Sequence, residues 1–122
     1  MSVSMRRYCG GPADIGTARH LIAGQLDGIV AWETCQLAVL LTSEIVTNAV
    51  VHAGSVFVLR LTVRPDTIRI DVRDRSTHLP HLRHPAASEE HGRGLHLVHA
   101  FASRWGCEPA ASGKSVWFEL DR

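Results

Sequence analysis

The chain has 122 residues, of which 45% are apolar and 20% charged, a composition that predicts one globular domain over residues 1–122 and excludes a disordered segment. Its formal net charge of +1 excludes a strongly basic protein of the kind that binds nucleic acid or an acidic membrane surface. Three features of the sequence predict a cytoplasmic protein with reduced thiols. The number of cysteines is odd and no C-x-x-C pair occurs, the N-terminus shows no apolar leader, and no apolar stretch of 18 residues is found.

Two helices are predicted in the first half of the chain, after ten residues that give only a weak strand signal. Asp14 is expected to cap the first helix, which ends near Gly28 and carries an apolar stripe of Ile15, Ala18, Ile22 and Leu26. The second helix is predicted from about Glu33 to Ala53, with Gly54 as its end. It is apolar nearly all round, and its narrow polar strip consists of Gln36, Ser43 and Thr47. A buried central helix is therefore expected.

Two strands follow, because apolar residues alternate with polar ones on both sides of the turn 64–67. Their inward residues are predicted to be Phe57, Leu59, Leu61 and Val63, then Ile68, Ile70 and Val72. Residues 75–91 lose this periodicity and predict a loop. A third helix is expected to begin at Gly92 and to stop at Gly106, with an apolar face of Leu95, Val98, Ala102 and Trp105.

The last segment predicts a short element near Cys107, a turn through Ser112-Gly113, and a final strand with Val116, Phe118 and Leu120 inward. Together these elements indicate an α+β fold. We expect a two-layer sandwich, in which a mainly antiparallel mixed sheet is covered on one face by about three helices.

Polar residues interrupt the predicted apolar faces at three places. Glu44 and Asn48 lie one helical turn apart within the stripe of Leu37, Leu41 and Val51, where an unsatisfied polar group is costly. Asp74 continues the inward series of its strand. Alternatively, a hydrogen bond from the helix to a loop, or a slightly exposed edge of the helix, would explain Glu44 or Asn48, and a turn aspartate that has already left the sheet would explain Asp74.

The third interruption is Gly92-Arg93-Gly94, where glycines at a helix start allow a phosphate to approach free backbone N–H groups, although a flexible hinge has the same sequence. Other phosphate motifs fail. Gly113-Lys114-Ser115 is not a P-loop, since the required first glycine would fall at Glu108 and a strand follows. A dinucleotide fingerprint would need glycine at Leu97, and no G-x-S-x-G hydrolase motif is present.

Taken in order, four segments resemble the conserved boxes of the GHKL superfamily of gyrase, heat-shock chaperone, histidine kinase and mismatch-repair ATPases. The closest resemblance is to the stand-alone anti-sigma-factor serine kinases. Residues 43–53 (SEIVTNAVVHA) resemble the N box, 72–76 (VRDRS) the first glycine box, 92–98 (GRGLHLV) the second glycine box, and 113–119 (GKSVWFE) the terminal strand box. The likeness covers roughly residues 14–121 and implies a Bergerat-type ATP-binding fold.

The resemblance implies a role for each matched residue. Glu44 would orient or deprotonate the attacking hydroxyl group, and Asn48 would bind Mg²⁺, which bridges to the phosphates of ATP. Asp74 would accept a hydrogen bond from the adenine amino group. The remaining predicted ATP-binding residues are Ser76, which stands where the superfamily has a glycine, the second glycine box with Gly92, Arg93, Gly94 and Leu95, and Ser115 on the adenine side. His52 is interpreted as a helix-end residue.

The implied function is transfer of the ATP γ-phosphate to a serine or threonine of a partner protein, sequestration of a sigma factor, or both, with a sigma factor or its antagonist as partner. One alternative is a nucleotide-gated binding module without kinase activity. Another is a metal-binding module, because His78, His81 and His84 lie three residues apart beside Pro80 and Pro85. The sequence leaves open the identity of the partner, the substrate serine and the formation of a homodimer.

Overall fold

A computed structural model describes the chain over residues 1–76 and 90–122. The elements in this part are β1 (Ser2–Tyr8), α1 (Ala13–Leu26), α2 (Trp32–His52), β2 (Phe57–Val63), β3 (Thr67–Asp74), α3 (Glu90–Phe101), β4 (Arg104–Ala110) and β5 (Gly113–Asp121). The strands form one sheet in the order β1-β2-β3-β5-β4. Every described strand pair is antiparallel, where a partly mixed sheet was expected. The α+β prediction is confirmed.

The core lies between the sheet and the three helices. Alternate residues of the three central strands are buried on the helix side, as the period of two requires: Phe57, Leu59 and Leu61, then Ile68, Ile70 and Val72, then Val116, Phe118 and Leu120. Helix α2 packs between α1 and α3 and contacts β3 and β5. The central helix therefore lies over the part of the sheet where the polar segments of the sequence converge.

Helix α1 begins differently from the prediction. Its N-cap is Pro12, and Asp14 lies inside the first turn, so the predicted capping role of Asp14 is wrong. The carboxylate instead reaches backwards, where Oδ2 accepts hydrogen bonds from the N–H groups of Gly10 at 2.8 Å and Gly11 at 3.1 Å. An acidic side chain in the first turn can satisfy preceding backbone donors in this way, which fixes the entry of the chain into the helix.

Helix α2 has nearly the predicted bounds and ends as predicted before Gly54, which has a positive φ of 57°. The predicted burial all round is wrong, because Leu40 and Val51 are 42% and 49% exposed. One face alone meets the core, and it carries Ala38, Leu41, Thr42, Ile45, Val46, Asn48 and Ala49. Asn48 therefore lies on the buried face, whereas Val51 does not belong to it.

By length and apolar composition α2 also meets the criterion for a membrane-crossing helix. This corrects the expectation that no such stretch exists. The core helix of a soluble protein meets the same criterion, and here the buried face of α2 packs on the sheet and on its two neighbouring helices.

The third helix is shorter than predicted at its C-terminal end. It spans Glu90–Phe101, and Trp105 lies in β4 opposite Phe118 rather than on the helix. The chain leaves the helix because the N–H group of Ser103 donates to the carbonyl oxygen of Glu119 at 2.9 Å, which starts the pairing of β4 with β5. The first residues of the helix also replace the end of the predicted loop 75–91, and residues 77–89 of that loop lie outside the described part.

Candidate functional site

Three polar side chains meet on the helix side of the sheet, beneath α2. Asn48 comes from α2, Asp74 from the end of β3 and Lys114 from the start of β5, and these residues are 5%, 3% and 1% exposed. The Lys114 ammonium group, Nζ, lies 3.7 Å from Asp74 Oδ2 and 3.4 Å from Asn48 Oδ1. We refer to these three residues as the polar cluster. A carboxylate and an ammonium group buried to this degree are rare unless they are paired, as they are here.

The sheet register brings two members of the polar cluster together. Asp74 pairs directly with Lys114 across β3 and β5, and both follow the inward alternation of their strands. Gly113 permits this close approach, because a Cβ atom at that position would lie 1.8 Å from the carbonyl oxygen of Asp74. A glycine at the start of β5 is therefore required to place Lys114 against the carboxylate.

The two carboxylate oxygens of Asp74 have different surroundings. Oδ1 accepts a hydrogen bond from the N–H group of Ser76 at 2.8 Å. Oδ2 is buried and has no hydrogen-bond partner among the described residues, since the Lys114 ammonium at 3.7 Å is too distant for one. Burial raises the pKa of Asp74, and the Ser76 N–H group, Lys114 and His52 oppose this effect. A ligand that donates an N–H group would satisfy this remaining acceptor.

Glu44 and Asn48 lie on the same side of α2, one turn apart, as the spacing predicts. Glu44 is half-buried, and burial raises the pKa of its carboxyl group above the ordinary value. Within the described residues it takes part in no ion pair or hydrogen bond. A carboxylate with these properties is typical of a general base, although a structural carboxylate can show the same shift.

The remaining predicted site residues are placed differently. Ser76 is half-buried, and its N–H group orients Asp74. Ser115 pairs with the exposed Arg73 and therefore faces the side of the sheet away from the helices. The alternation of β5 thus places the Ser115 side chain on the face opposite the polar cluster, and the predicted support of the adenine-side hydrogen bonds by Ser115 stays a prediction. Leu95 is 2% exposed and belongs to the hydrophobic core, so its side chain is not presented to a ligand.

The Gly92-Arg93-Gly94 segment lies inside α3, whose N-terminus is two residues earlier than predicted. The first four N–H groups of a helix have no acceptor within it, and these include the N–H groups of Gly92 and Arg93 but not that of Gly94. The predicted phosphate contact therefore stays a prediction for Gly92 and Arg93. The His78, His81 and His84 tract falls outside the described residues, among which no cluster of three metal-ligating side chains occurs.

The polar cluster fits an amine donor better than it fits Mg²⁺. Asp74 Oδ2 is an unsatisfied buried acceptor, which suits an N–H group of adenine. Asn48 Oδ1, the predicted Mg²⁺ ligand, already accepts from a buried ammonium group at 3.4 Å. A divalent cation beside that ammonium would suffer strong repulsion in a site removed from water. The side chains present therefore do not fit Mg²⁺ in this arrangement, and we derive no chemical step from it.

Lys114 is the member of the polar cluster that the sequence interpretation missed. It continues the inward series Val116, Phe118 and Leu120 of the final strand by the same period of two that identified Asp74. A charged residue at an inward position is as strong a signal on β5 as on β3. The alternation therefore contained the information needed to place Lys114 in the core.

Several clefts lined by described residues lie away from the polar cluster. One of about 540 Å³ is formed by the end of α1 and the turn into α2, around His20, Asp27 and Trp32. It contains none of the predicted site residues.

The family model of the histidine kinase-like ATPase domain matches residues 12–120. No curated protein matches the chain. The matched range includes α1, α2, the polar cluster and all but the first strand of the sheet.

Proposed function

The chain belongs to the histidine kinase-like ATPase domain family, and from this premise we propose that it is a cytoplasmic regulatory protein of the anti-sigma-factor serine kinase type. It binds ATP and transfers the γ-phosphate to a serine or threonine of a partner protein, sequesters a sigma factor, or does both. The partner is a sigma factor or its antagonist. The observation that supports ATP as the ligand is the buried, unsatisfied Oδ2 atom of Asp74.

Adenine recognition follows from the chemistry of that atom. A carboxylate oxygen accepts hydrogen bonds only, and the exocyclic amino group of adenine donates one. Guanine has a carbonyl oxygen at the same ring position, which would face the carboxylate without a proton between them. Because an unpaired buried acceptor costs about 1–3 kcal/mol, Asp74 selects ATP over GTP.

Glu44 is the residue to which we assign the chemical step. It orients the incoming hydroxyl group and removes its proton as the oxygen attacks the γ-phosphorus, while the bond between that phosphorus and the bridging oxygen of the β-phosphate breaks and ADP leaves. Burial raises the pKa of the carboxyl group, and a carboxylate with a raised pKa is a stronger base at neutral pH than an exposed glutamate. Glu44 lies one helical turn before Asn48, so it is next to the polar cluster but does not belong to it.

A second candidate is a nucleotide-gated binding module without kinase activity. The contact between Lys114 Nζ and Asn48 Oδ1 favours it, because that contact competes with the metal ion that phosphoryl transfer ordinarily uses. Both candidates share nucleotide binding and a protein partner. They differ only in whether label moves from ATP to that partner.

The test is transfer of labelled γ-phosphate to proteins that co-purify with the chain, with identification of the labelled protein by mass spectrometry. We expect wild type to label one partner and Glu44→Ala to lower the rate by about 10²-fold or more while nucleotide affinity stays unchanged. Glu33→Ala, an exposed glutamate in the first turn of the same helix, is the matched control and keeps full activity.

Two results would count against parts of this proposal. If wild type binds ATP and a partner but labels nothing, the kinase step is wrong and the binding module is correct. If Glu44→Ala loses nucleotide binding, Glu44 contacts the ligand or supports the fold, and its role as a base must be abandoned.

A further inference from the structure

Lys114 is the single lysine of the chain, among thirteen basic Lys and Arg residues, and it is 1% exposed. Lysine is almost never buried to this extent without a specific partner, because its ammonium group is strongly hydrated in water. The four-carbon stem could have carried the charge to the surface, as lysine side chains commonly do. Its burial therefore indicates that the ammonium group is held by the atoms that it contacts.

Those atoms belong to the two residues of the polar cluster for which the sequence predicts a role in nucleotide binding. Nζ lies 3.7 Å from Asp74 Oδ2, the proposed acceptor for the adenine amino group, and 3.4 Å from Asn48 Oδ1, the predicted metal ligand. An ammonium group resembles both the adenine amino group and a metal ion, since it donates N–H groups as the first does and carries positive charge as the second does. One side chain thus faces both acceptors from inside the protein.

We propose that Lys114 is a built-in competitor of the nucleotide, which must displace the lysine ammonium group from Asp74 and Asn48 in order to bind. This inference rests on the proposed function, because it takes Asp74 as the adenine acceptor. Lys114 lowers the affinity for nucleotide, and in the free protein its ammonium group neutralises the charge of the Asp74 carboxylate. The residue at position 114 then sets how much nucleotide is needed to occupy the site.

Removing the ammonium group has opposite effects on the free and the bound protein. In the free protein, Asp74 loses its cation and becomes an unpaired buried carboxylate, so stability falls. In the complex, the ligand takes over Asp74 without first displacing a cation, so affinity rises. A lysine that instead contacted the ligand would produce lower affinity when it was removed, and the sign of the change separates the two roles.

The experiment is calorimetric titration of ATP and ADP, without metal and with Mg²⁺, into wild type and Lys114→Thr. Threonine is shorter and uncharged, so it vacates the space beside Asp74. We expect affinity to rise at least about tenfold, the factor that a hydrogen bond to a charged group commonly represents. The double variant Asp74→Asn, Lys114→Thr should lose this gain. Arg73→Thr, which removes an exposed cation from the neighbouring strand on the opposite face, should leave affinity unchanged.

The outcomes distinguish this inference from the proposed function. If wild type binds ATP and Lys114→Thr binds it equally well or more weakly, Lys114 is no competitor, while the proposed function stands. If neither protein binds any nucleotide, the proposed function is wrong and this inference is overturned with it.

Because Lys114→Thr leaves a buried carboxylate without its cation and so weakens the fold, a second measurement uses wild type alone. Because the chain has one lysine, an amine-selective acetylating reagent can modify only Lys114 and the N-terminal amine, which serves as an internal reference. We expect Lys114 to resist modification in the free protein and to become reactive when nucleotide is bound. Rapid modification in the free protein, or unchanged protection in the calorimetrically verified complex, would overturn the proposal.

Discussion

At the residue scale, the Asp74–Lys114 pair differs from other ion pairs of the described chain in the burial of both partners. Its side chains are 0% and 1% exposed, whereas the Arg60–Asp71 pair on the outer face joins an arginine that is 41% exposed to a carboxylate that is 6% exposed. Water screens the second pair and not the first. The two pairs both include an aspartate of β3, so they form a natural comparison.

Single substitutions in the buried pair should be more damaging than the double substitution. Asp74→Ala leaves a buried ammonium group without a counter-ion and should lower the free energy of unfolding by about 3–5 kcal/mol, and Lys114→Met should do the same for the carboxylate. The double variant should recover most of that loss, because neither charge remains. Asp71→Ala, the control on the outer face, should cost only about 1 kcal/mol. Urea unfolding of the four variants measures these differences.

An additive loss in the double variant would contradict the pairing of Asp74 with Lys114. The loss of stability also affects how Asp74 is tested for adenine binding. Because a single substitution of Asp74 changes stability and affinity together, the calorimetry must include variants in which both Asp74 and Lys114 are replaced.

The sequence predicted those site residues that occupy inward-facing positions in the regular repeat of a helix or a strand. Asp74 and Asn48 were identified because they occupy inward positions of a strand and a helix, and both are buried. The same rule applied to β5 would have found Lys114, and it would have placed Ser115 on the outer face. The role given to Ser115 came from the resemblance alone, which carries no information about the face on which this chain presents the side chain.

At the scale of elements, helix and strand interiors agree with the pattern, and so does the end of α2, whereas the start of α1 and both ends of α3 differ from it. Helix α3 was extended to Trp105 because Leu95, Val98, Ala102 and Trp105 fit a helical stripe. The hydrogen bond from Ser103 to Glu119 redirects the chain into the sheet three residues before Gly106 could end a helix. Such a bond joins residues distant in the sequence, so no local pattern contains it.

On the outer face of the sheet, three arginines surround the carboxylate of Glu119 in β5. Its Oε1 accepts a hydrogen bond from Arg104 Nε at 2.7 Å, while Arg64 and Arg69 each lie 3.6 Å from Oε2. Arg69 also lies over the Trp117 ring, 4.1 Å from its centroid. The hydrogen bond from Arg104 is the main reason that the pKa of Glu119 is lowered.

This lowered pKa predicts a dependence of stability on pH. A carboxyl group with a folded-state pKa below its unfolded value stabilises the fold above the unfolded pKa, and the stabilisation is lost as the pH falls through the folded pKa. Glu119→Gln should therefore cost about 0.5–1 kcal/mol at neutral pH, a modest amount because the arginines are partly exposed. The difference from wild type should disappear under acid conditions.

The measurement is urea unfolding of both proteins between neutral pH and the acid limit of folding. Glu108→Gln is the control, since Glu108 is an exposed carboxylate on the same face that forms no ion pair with a described arginine. A Glu119→Gln deficit that stays constant with pH would show that the loss does not arise from ionisation of Glu119.

At the scale of the whole molecule, the fold class was predictable because it depends on many apolar positions at once. The alternation in β2, β3 and β5 and the apolar face of α1 fix a sheet with helices on one side. Predicting the site required information beyond these local patterns, because the site is formed where α2, the end of β3 and the start of β5 converge. That convergence is a property of the strand order, in which β5 is inserted between β3 and β4.

Ligand binding to a molecule built in this way should appear as global stabilisation. A ligand that binds only the folded state raises the free energy of unfolding, by roughly 2.7 kcal/mol at about 100 times its Kd. For a domain of this size, that corresponds to a rise of several degrees in Tm. Nucleotides that differ only in the base test the adenine acceptor, because their phosphates are identical.

Nucleotide binding through Asp74 is tested most directly by thermal unfolding of wild type with increasing millimolar concentrations of ATP, ADP and GTP, each with and without Mg²⁺. We expect Tm to rise by several degrees with ATP and ADP and clearly less with GTP, because the proposed hydrogen bond to Asp74 Oδ2 needs an amino group that guanine lacks at that position. An unchanged Tm with ATP and ADP would contradict nucleotide binding, and equal shifts with ATP and GTP would contradict the role of Asp74 in recognising adenine.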